Sequence, residues 1–360
     1  MTAYPMNRRG FMALTGALVA APLTTVAAEK PAFEWKMVTS WPKNSPGPGL
    51  TAERLAQRIN IMSGGRLLVK VYGAGELVPA LEVFDAVSRG TAELGHTASF
   101  FWRGKIPASV FFTTVPFGLI AAEHAAWIDH GGGQALWEEL YGDFGLLPFM
   151  AGNTGMGMGG WFKREINSLA DLKGLKYRIP GLGGEVLKRL GATTVTLPPG
   201  EIFSALQAGV VDGAEWVGPW SDMALGLYKA APYYYWPGFH EPNGTGECLV
   251  HRQSWAKLPA DLQAIVSNAC AVEHAYSLAE AEWQNAEAVE LLVRQHGVKI
   301  RAFPQDVITA ALSAASEVLA EFGQGDAISR RIYQSYEAAR QRVIGWSQIS
   351  TLALLKARAE

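Results

Sequence analysis

Residues 172–216 read LKGLKYRIPGLGGEVLKRLGATTVTLPPGEIFSALQAGVVDGAEW, and the hydrophobic period changes repeatedly along them. LKYRIPG reads as a strand ended by Pro180-Gly181, and GGEVLKRLGA as a helix. TTVTLPP is a second strand, PPGEIFSALQAG a helix opening on prolines, and DGAEW a short third strand. Proline suits the first turn of a helix because the amide hydrogen it lacks has no partner there anyway. Strands alternating with helices predict parallel strands covered by helices, since parallel neighbours need a long crossover.

The same grammar extends in both directions. Upstream, FEWKMVTSW, LLVKVYG and TAELGHTAS read as strands. Between them lie the helical patterns LTAERLAQRINIMSGG, stopped by Gly64-Gly65, and ALEVFDAVSRG, closed by Gly90. A second run begins near Leu146 with the strand LLPFMAG. Two such halves predict an α/β fold of two lobes with a cleft between them. Downstream, residues 259–296 are helical in pattern until Gly297, long enough at about 1.5 Å per residue to brace both lobes. In the tail, residues 328–355, one helical face carries Ile328, Ile332, Tyr336, Ala339, Val343 and Trp346. That stripe needs either its own lobe or a second subunit. The expected division is lobe 1 at 29–151 and about 216–275, lobe 2 at 152–215 and about 276–324, and the tail helix at 325–360.

The chain has 360 residues and a formal charge of −2, or −4 once the first 28 residues are removed. Such a balance gives no reason to expect nucleic acid or an anionic membrane as partner. Residues 1–28 hold Arg8-Arg9, Phe11, a short apolar run and Val26-Ala27-Ala28, which resembles a Tat signal peptide and predicts export of a folded protein to the periplasm. The run is too short, and too broken by Gly16 and Pro22, to serve as a membrane span. Cys248 and Cys270 are expected as two separate buried thiols.

Gly155, Gly157 and Gly160 in GMGMGGWF spell G-x-G-x-x-G, yet a nucleotide loop needs a helix opening at its last glycine. Here Trp161-Phe162 follows, and Arg178, not an acid, stands near the end of the next strand. His130-Gly131-Gly132-Gly133 looks like an esterase oxyanion loop, but no G-x-S-x-G accompanies it. The histidines form no H-E-x-x-H and no Cys/His cluster; His96 and His251 lie in strand-like runs and suit core or cleft-edge positions. Glu215 and Glu241 are conceivable as a glycosidase acid pair, so an enzyme acting on an organic acid stays open as an alternative. Arg178 stands beside the Pro180-Gly181 turn and just before a glycine-rich helix start. An arginine so placed offers a planar fork to a carboxylate, and the helix start favours an anion.

Across essentially the whole mature chain the sequence resembles the TRAP-transporter solute-binding proteins of the DctP type. Residues 172–216 carry the signature: an arginine, a helix, G-A, then E-x-F-x-A-L-Q-x-G-x-V-D-G-x-E. GNTGMGMGGWF, YYYWPGFHEP and FFWRGK further resemble the subgroup that binds 2-oxo or 2-hydroxy acids. The resemblance implies a two-lobe, periplasmic-binding-protein-like fold with a long bracing helix and a C-terminal tail helix, and a binding protein without catalysis that serves membrane permease subunits. It implies Arg178 on the ligand carboxylate and Asn153 as a hydrogen-bond partner. It also implies a sodium or calcium ion at Glu215, the Trp216 carbonyl and Glu241, with no other cofactor, and a homodimer through the tail helix.

One departure stands out. Related proteins commonly carry glutamine where this chain has Gly157. Its loss predicts extra room and an acid bulkier than pyruvate, aromatic acids included, packed on Phe100, Phe101, Trp102, Trp216 and Trp220. It also puts the cation in question. The alternative is a pyruvate- or lactate-sized acid with the cation in place.

Overall fold

The computed structural model describes residues 31–359, so the signal-peptide reading of residues 1–28 lies outside the described residues. The first sheet joins β1 (Phe33–Thr39), β2 (Leu67–Tyr72), β3 (Leu94–Thr97), β4 (Leu146–Asn153) and β10 (Thr245–His251), in the order β2-β1-β3-β10-β4. β1 lies parallel to β2 and β3, and β10 runs antiparallel between β3 and β4. The second sheet joins β5 (Gly160–Phe162), β6 (Lys176–Arg178), β7 (Thr193–Val195), β8 (Gly213–Ala214), β9 (Tyr233–Trp236) and β11 (Lys299–Ala302), in the order β11-β9-β5-β8-β6-β7. Two sheets with covering helices form the mixed α/β, two-lobe fold that the alternating pattern predicts.

β6, β7 and β8 are parallel, with Arg178 opposite both Val195 and Ala214. β5 is antiparallel to β8 and β9, so neither sheet is purely parallel. β9 needs a correction to the expected division: it falls in the segment 216–275 expected with the first lobe, yet it pairs with β5 and β11 in the second sheet. Trp161 and Tyr234, opposite each other in this pairing, stack with ring centroids 4.0 Å apart, and their contact fixes the strand there.

The long helix, Ala260–Arg294, spans about 52 Å at 1.5 Å per residue. Its Glu273 is fully buried and accepts hydrogen bonds from Arg54 Nε and Arg58 Nε at 2.9 and 2.8 Å. A buried carboxylate is tolerated when its oxygens meet cationic donors, and this one ties the helix Pro48–Met62 to the long helix. Cys248 and Cys270 are both buried and free, one on β10 and the other on the long helix.

The tail is helical over Ala327–Ser347, passes one wider turn at Gln348–Leu352, and ends in a short helix Ala353–Ala357. Asp326 caps it by accepting the Ser329 amide hydrogen. Its first half packs on its own chain: Tyr336 is buried against Phe111 and Trp127, and its hydroxyl accepts the Leu119 amide hydrogen. Its second half leaves Trp346 and Ile349 about three-quarters exposed, at 68% and 75%.

Candidate functional site

A cavity lies where the strand ends of the first sheet meet the segment after β8 and the inner face of the long helix. Asn153 at the end of β4, Thr245 at the start of β10, Trp216 after β8 and Ser277 on the long helix border it. Its volume is about 50 Å³, which at roughly 10–15 Å³ per water is room for a handful of atoms. Trp41, Phe100, Trp216 and Trp220 form apolar walls.

Trp41 is held in place. Its indole N–H donates to His96 Nδ1 at 2.8 Å, and His96 Nε2 faces the Ala151 carbonyl at 3.1 Å. That pair of contacts sets the neutral tautomer with the proton on Nε2, and burial pulls the His96 pKa down to about 4. Trp41 and Trp216 pack with centroids 6.0 Å apart.

Asn153 sits in a polar knot under the cavity. Its Nδ2 donates to Asn243 Oδ1 at 2.7 Å and Thr245 Oγ1 at 3.3 Å, and its Oδ1 accepts from Gly155 N at 2.8 Å. Asn243 in turn donates to the Thr113 carbonyl at 2.7 Å, which locks the orientation of both amides.

Beside the cavity, Glu215, His240 and Glu241 bring three ligand atoms within 4.8 Å of one another, all buried. His240 Nε2 lies 3.3 Å from Glu215 Oε2. Arg178 closes the cluster from behind: its Nη1 donates to the Glu215 carbonyl at 2.7 Å and to Glu215 Oε1 at 2.5 Å. Nη2 and Nε turn to the Leu197 carbonyl at 3.1 and 3.3 Å. Burial pulls the Arg178 pKa down, opposed by Glu215. Burial, with Glu215 next to it, holds the Glu241 carboxyl well above the usual range, and Arg178 only partly offsets this. Two buried carboxylates share one guanidinium, so the donor set fits a hard cation: it supplies carboxylate oxygens and needs one more positive charge.

Only some of the expected site residues border the cavity. Asn153, Trp216, Trp220, Phe100 and Glu241 do. Arg178 and Glu215 stand one layer back, behind Trp216, whose ring lies 5.8 Å from the Arg178 guanidinium. Phe101 packs on Trp41 outside the lining, and Trp102 is committed elsewhere: its indole N–H donates to the buried Glu247 at 2.8 Å. Gly157 does not enlarge the cavity. A Cβ there would meet the Val217 carbonyl at 3.2 Å and Glu241 at 3.3 Å, so backbone fills the space where a side chain would go. Nor does a helix follow Gly160; it opens β5 with φ of 105°, and a Cβ would collide with the Tyr177 hydroxyl at 1.9 Å. The glycines serve close packing. His240, Trp41, Asn243 and Thr245 were missed by sequence reasoning, although His240 adjoins Glu241 in the quoted YYYWPGFHEP.

Residues 37–326 match the family model of the bacterial extracellular solute-binding proteins, family 7, called DctP. A Nostoc sp. protein named a monocarboxylate 2-oxoacid-binding periplasmic protein is 42% identical over 97% of this chain and 96% of its own. A TRAP transporter solute-binding protein of Bordetella bronchiseptica superposes with a TM-score of 0.89 at 37% identity, covering 92% of this chain and all of that one. Its structure is a dimer of mixed occupancy with copurified calcium and picolinate in one site. A Pseudoalteromonas atlantica relative, with bound sodium and pyruvate, gives a TM-score of 0.87 at 39% identity over 90% of this chain and 98% of that one. Among the described residues no helix is long and apolar enough to cross a membrane. This chain belongs to the DctP family of TRAP-transporter solute-binding proteins, which are receptors and not enzymes.

Proposed function

We propose that the protein is the periplasmic receptor of a TRAP transporter for a compact 2-oxo or 2-hydroxy monocarboxylate bound together with a sodium or calcium ion. The observation that carries this reading is the buried cluster Glu215, His240 and Glu241, with the Arg178 guanidinium against Glu215, at the wall of a cavity of about 50 Å³. The relatives' ligands share one piece of chemistry. Pyruvate and picolinate each place a lone-pair donor, a ketone oxygen or a ring nitrogen, next to a carboxylate, so each can chelate a cation in a five-membered ring. Glu215 and Glu241, with the Trp216 carbonyl, would supply the protein side of that coordination.

In this reading the cation takes over the role of countercharge to Glu215. The Arg178 fork is then released from Glu215 and turns to the ligand carboxylate, a bidentate partner. Asn153 Nδ2 is positioned to donate to the 2-oxo oxygen by exchanging its bond to Thr245. Closing the two lobes on the ligand would mark the loaded state for the permease subunits. The tail helix joins two copies into a homodimer, and residues 1–28 direct folded export by the Tat route.

A second reading, a bulkier or aromatic acid, draws on the walls of Trp41, Phe100, Trp216 and Trp220, but Gly157 no longer supports it. Thermal melts of refolded, ligand-free protein with pyruvate, lactate, phenylpyruvate, benzoylformate, picolinate and propionate decide between the two. A ligand at hundredfold excess over its dissociation constant adds about 2.7 kcal/mol. Stabilisation by pyruvate and not by propionate is the expected result; stabilisation by the aryl acids alone would overturn the compact ligand in favour of the bulky one.

A further inference from the structure

We propose that Glu280, on the long helix, is the residue that bars a second carboxylate from the cavity, so that the receptor takes monocarboxylates and rejects the matching dicarboxylates. This deepens the reading of a ligand bound together with a cation and rests on it.

Four positions of the long helix, Ser277, Glu280, Ala281 and Asn285, border the cavity. Their spacing of three and four residues puts them on one helical face. Glu280 is the charged member of that face, and Glu241 is the second acid on the lining. Among the described residues no lysine or arginine borders the cavity. His96 does, but it accepts the Trp41 N–H on Nδ1 and is neutral. The walls therefore carry negative charge and no positive charge of their own.

The guanidinium that meets Glu280 is already spent. Arg54, on the helix Pro48–Met62, donates from Nη1 and Nη2 to Glu280 Oε1 and Oε2 at 3.0 and 2.7 Å. Its Nε donates to Glu273 Oε1 at 2.9 Å, and Arg58 Nε takes the other Glu273 oxygen at 2.8 Å. Glu280 thus acts twice: it holds a carboxylate at the wall, and it occupies fork to fork the guanidinium that an anionic group of a ligand would need.

At the cation cluster the charges close on a single ligand carboxylate. Glu215, Glu241 and that carboxylate balance a calcium ion and the Arg178 guanidinium, and with sodium one negative charge is left over. A second carboxylate on the ligand meets no free cation in a cavity of about 50 Å³, and Glu280 repels it. An alkyl group of the same shape packs on the apolar walls of Trp41, Phe100, Trp216 and Trp220 instead. Specificity of this kind comes from the repulsive element and needs no contact with the accepted ligand.

The test is titration calorimetry of refolded protein with calcium present. The ligands are pyruvate, malate, and 2-hydroxy-4-methylpentanoate of the same hand as the malate, which carries an isopropyl group where malate has its second carboxylate. In wild type the alkyl acid should bind roughly tenfold or more tightly than malate, and Glu280→Gln should close most of that gap by tightening malate. Equal binding of the two acids by wild type, or an unchanged gap in folded Glu280→Gln protein, overturns the assignment. So does exclusion of both acids by wild type, because size then does the rejecting. The wild-type comparison stands whether or not the variant refolds. Pyruvate that fails to bind wild type overturns the reading underneath; pyruvate bound with malate admitted equally overturns the role of Glu280 alone.

Discussion

Replacing Glu241 with glutamine should move the stability of the ligand-free protein and its response to calcium in opposite directions. Burial and the neighbouring Glu215 raise the Glu241 pKa above its value of 4.5 in an unfolded chain, so ionised Glu241 costs the folded state stability, increasingly as pH rises above that value. Two unit charges within 4.8 Å repel by about 3.5 kcal/mol at an effective dielectric constant of about 20. Arg178 returns part of this, so at pH 8 the neutral glutamine should stabilise the ligand-free protein by roughly 1–2 kcal/mol, a rise of about 2–4 °C in melting temperature. With a cation present the same substitution removes one of two carboxylates. Breaking a charge-assisted contact in a dry site costs about 2–5 kcal/mol, so the calcium concentration that gives half the stabilisation should rise at least ~30-fold. Melts of refolded protein at pH 8, first with chelator and then across a calcium titration, report both effects. A Glu241→Gln protein that melts lower without calcium and keeps the wild-type calcium response would refute the reasoning.

Three further outcomes follow from particular contacts. Arg178→Ala leaves Glu215 buried beside Glu241 with no guanidinium, and should lower the urea unfolding free energy by about 3–5 kcal/mol; an unchanged urea midpoint would remove that ion pair from the account. Glu247 is fully buried, and burial pushes its pKa up to about 8 from 4.5, although Trp102 and Tyr141 donate to it. Its contribution to stability is therefore lost as pH rises from 4.5 towards 8, by up to about 4–5 kcal/mol. Glu247→Gln should flatten that fall, and equal slopes in the two proteins between pH 5 and pH 8 would contradict it. Gly157→Ala would press a methyl onto the Val217 carbonyl and Glu241, and should cost about 1–3 kcal/mol and weaken ligand binding. Tighter binding of any acid by this variant would mean the glycine does border open space.

The sequence carried the alternation of strands and helices well, because a change of hydrophobic period is a local signal. The helix expected over 259–296 is observed at Ala260–Arg294, since no proline or glycine interrupts it. Which sheet a short strand joins was not legible. Tyr233–Trp236 is aromatic throughout, and its place in the second sheet depends on partners about 70 residues away on either side. The site was legible in its components and not in its layering. Glu215 lies with Glu241 and Arg178, and Asn153 borders the same cavity as Glu241, but nothing in the spacing showed that Arg178 stands behind that cavity and spends its donors on Glu215 and Leu197. Trp102 illustrates the same limit: an aromatic triplet is visible in sequence, yet only the fold shows that its indole serves a buried glutamate. Gly157 misled for a related reason, because the missing side chain is visible in one dimension and the backbone that fills its place is not.

The central claim is that ligand and cation bind as one unit at Glu215 and Glu241. Titration calorimetry of pyruvate into refolded protein, with calcium or sodium present and after removal of both, tests it most directly. The account predicts binding of one pyruvate per chain with the cation, and a loss of affinity of at least tenfold without it. Equal affinity in the two conditions, or propionate binding as tightly as pyruvate, would contradict it.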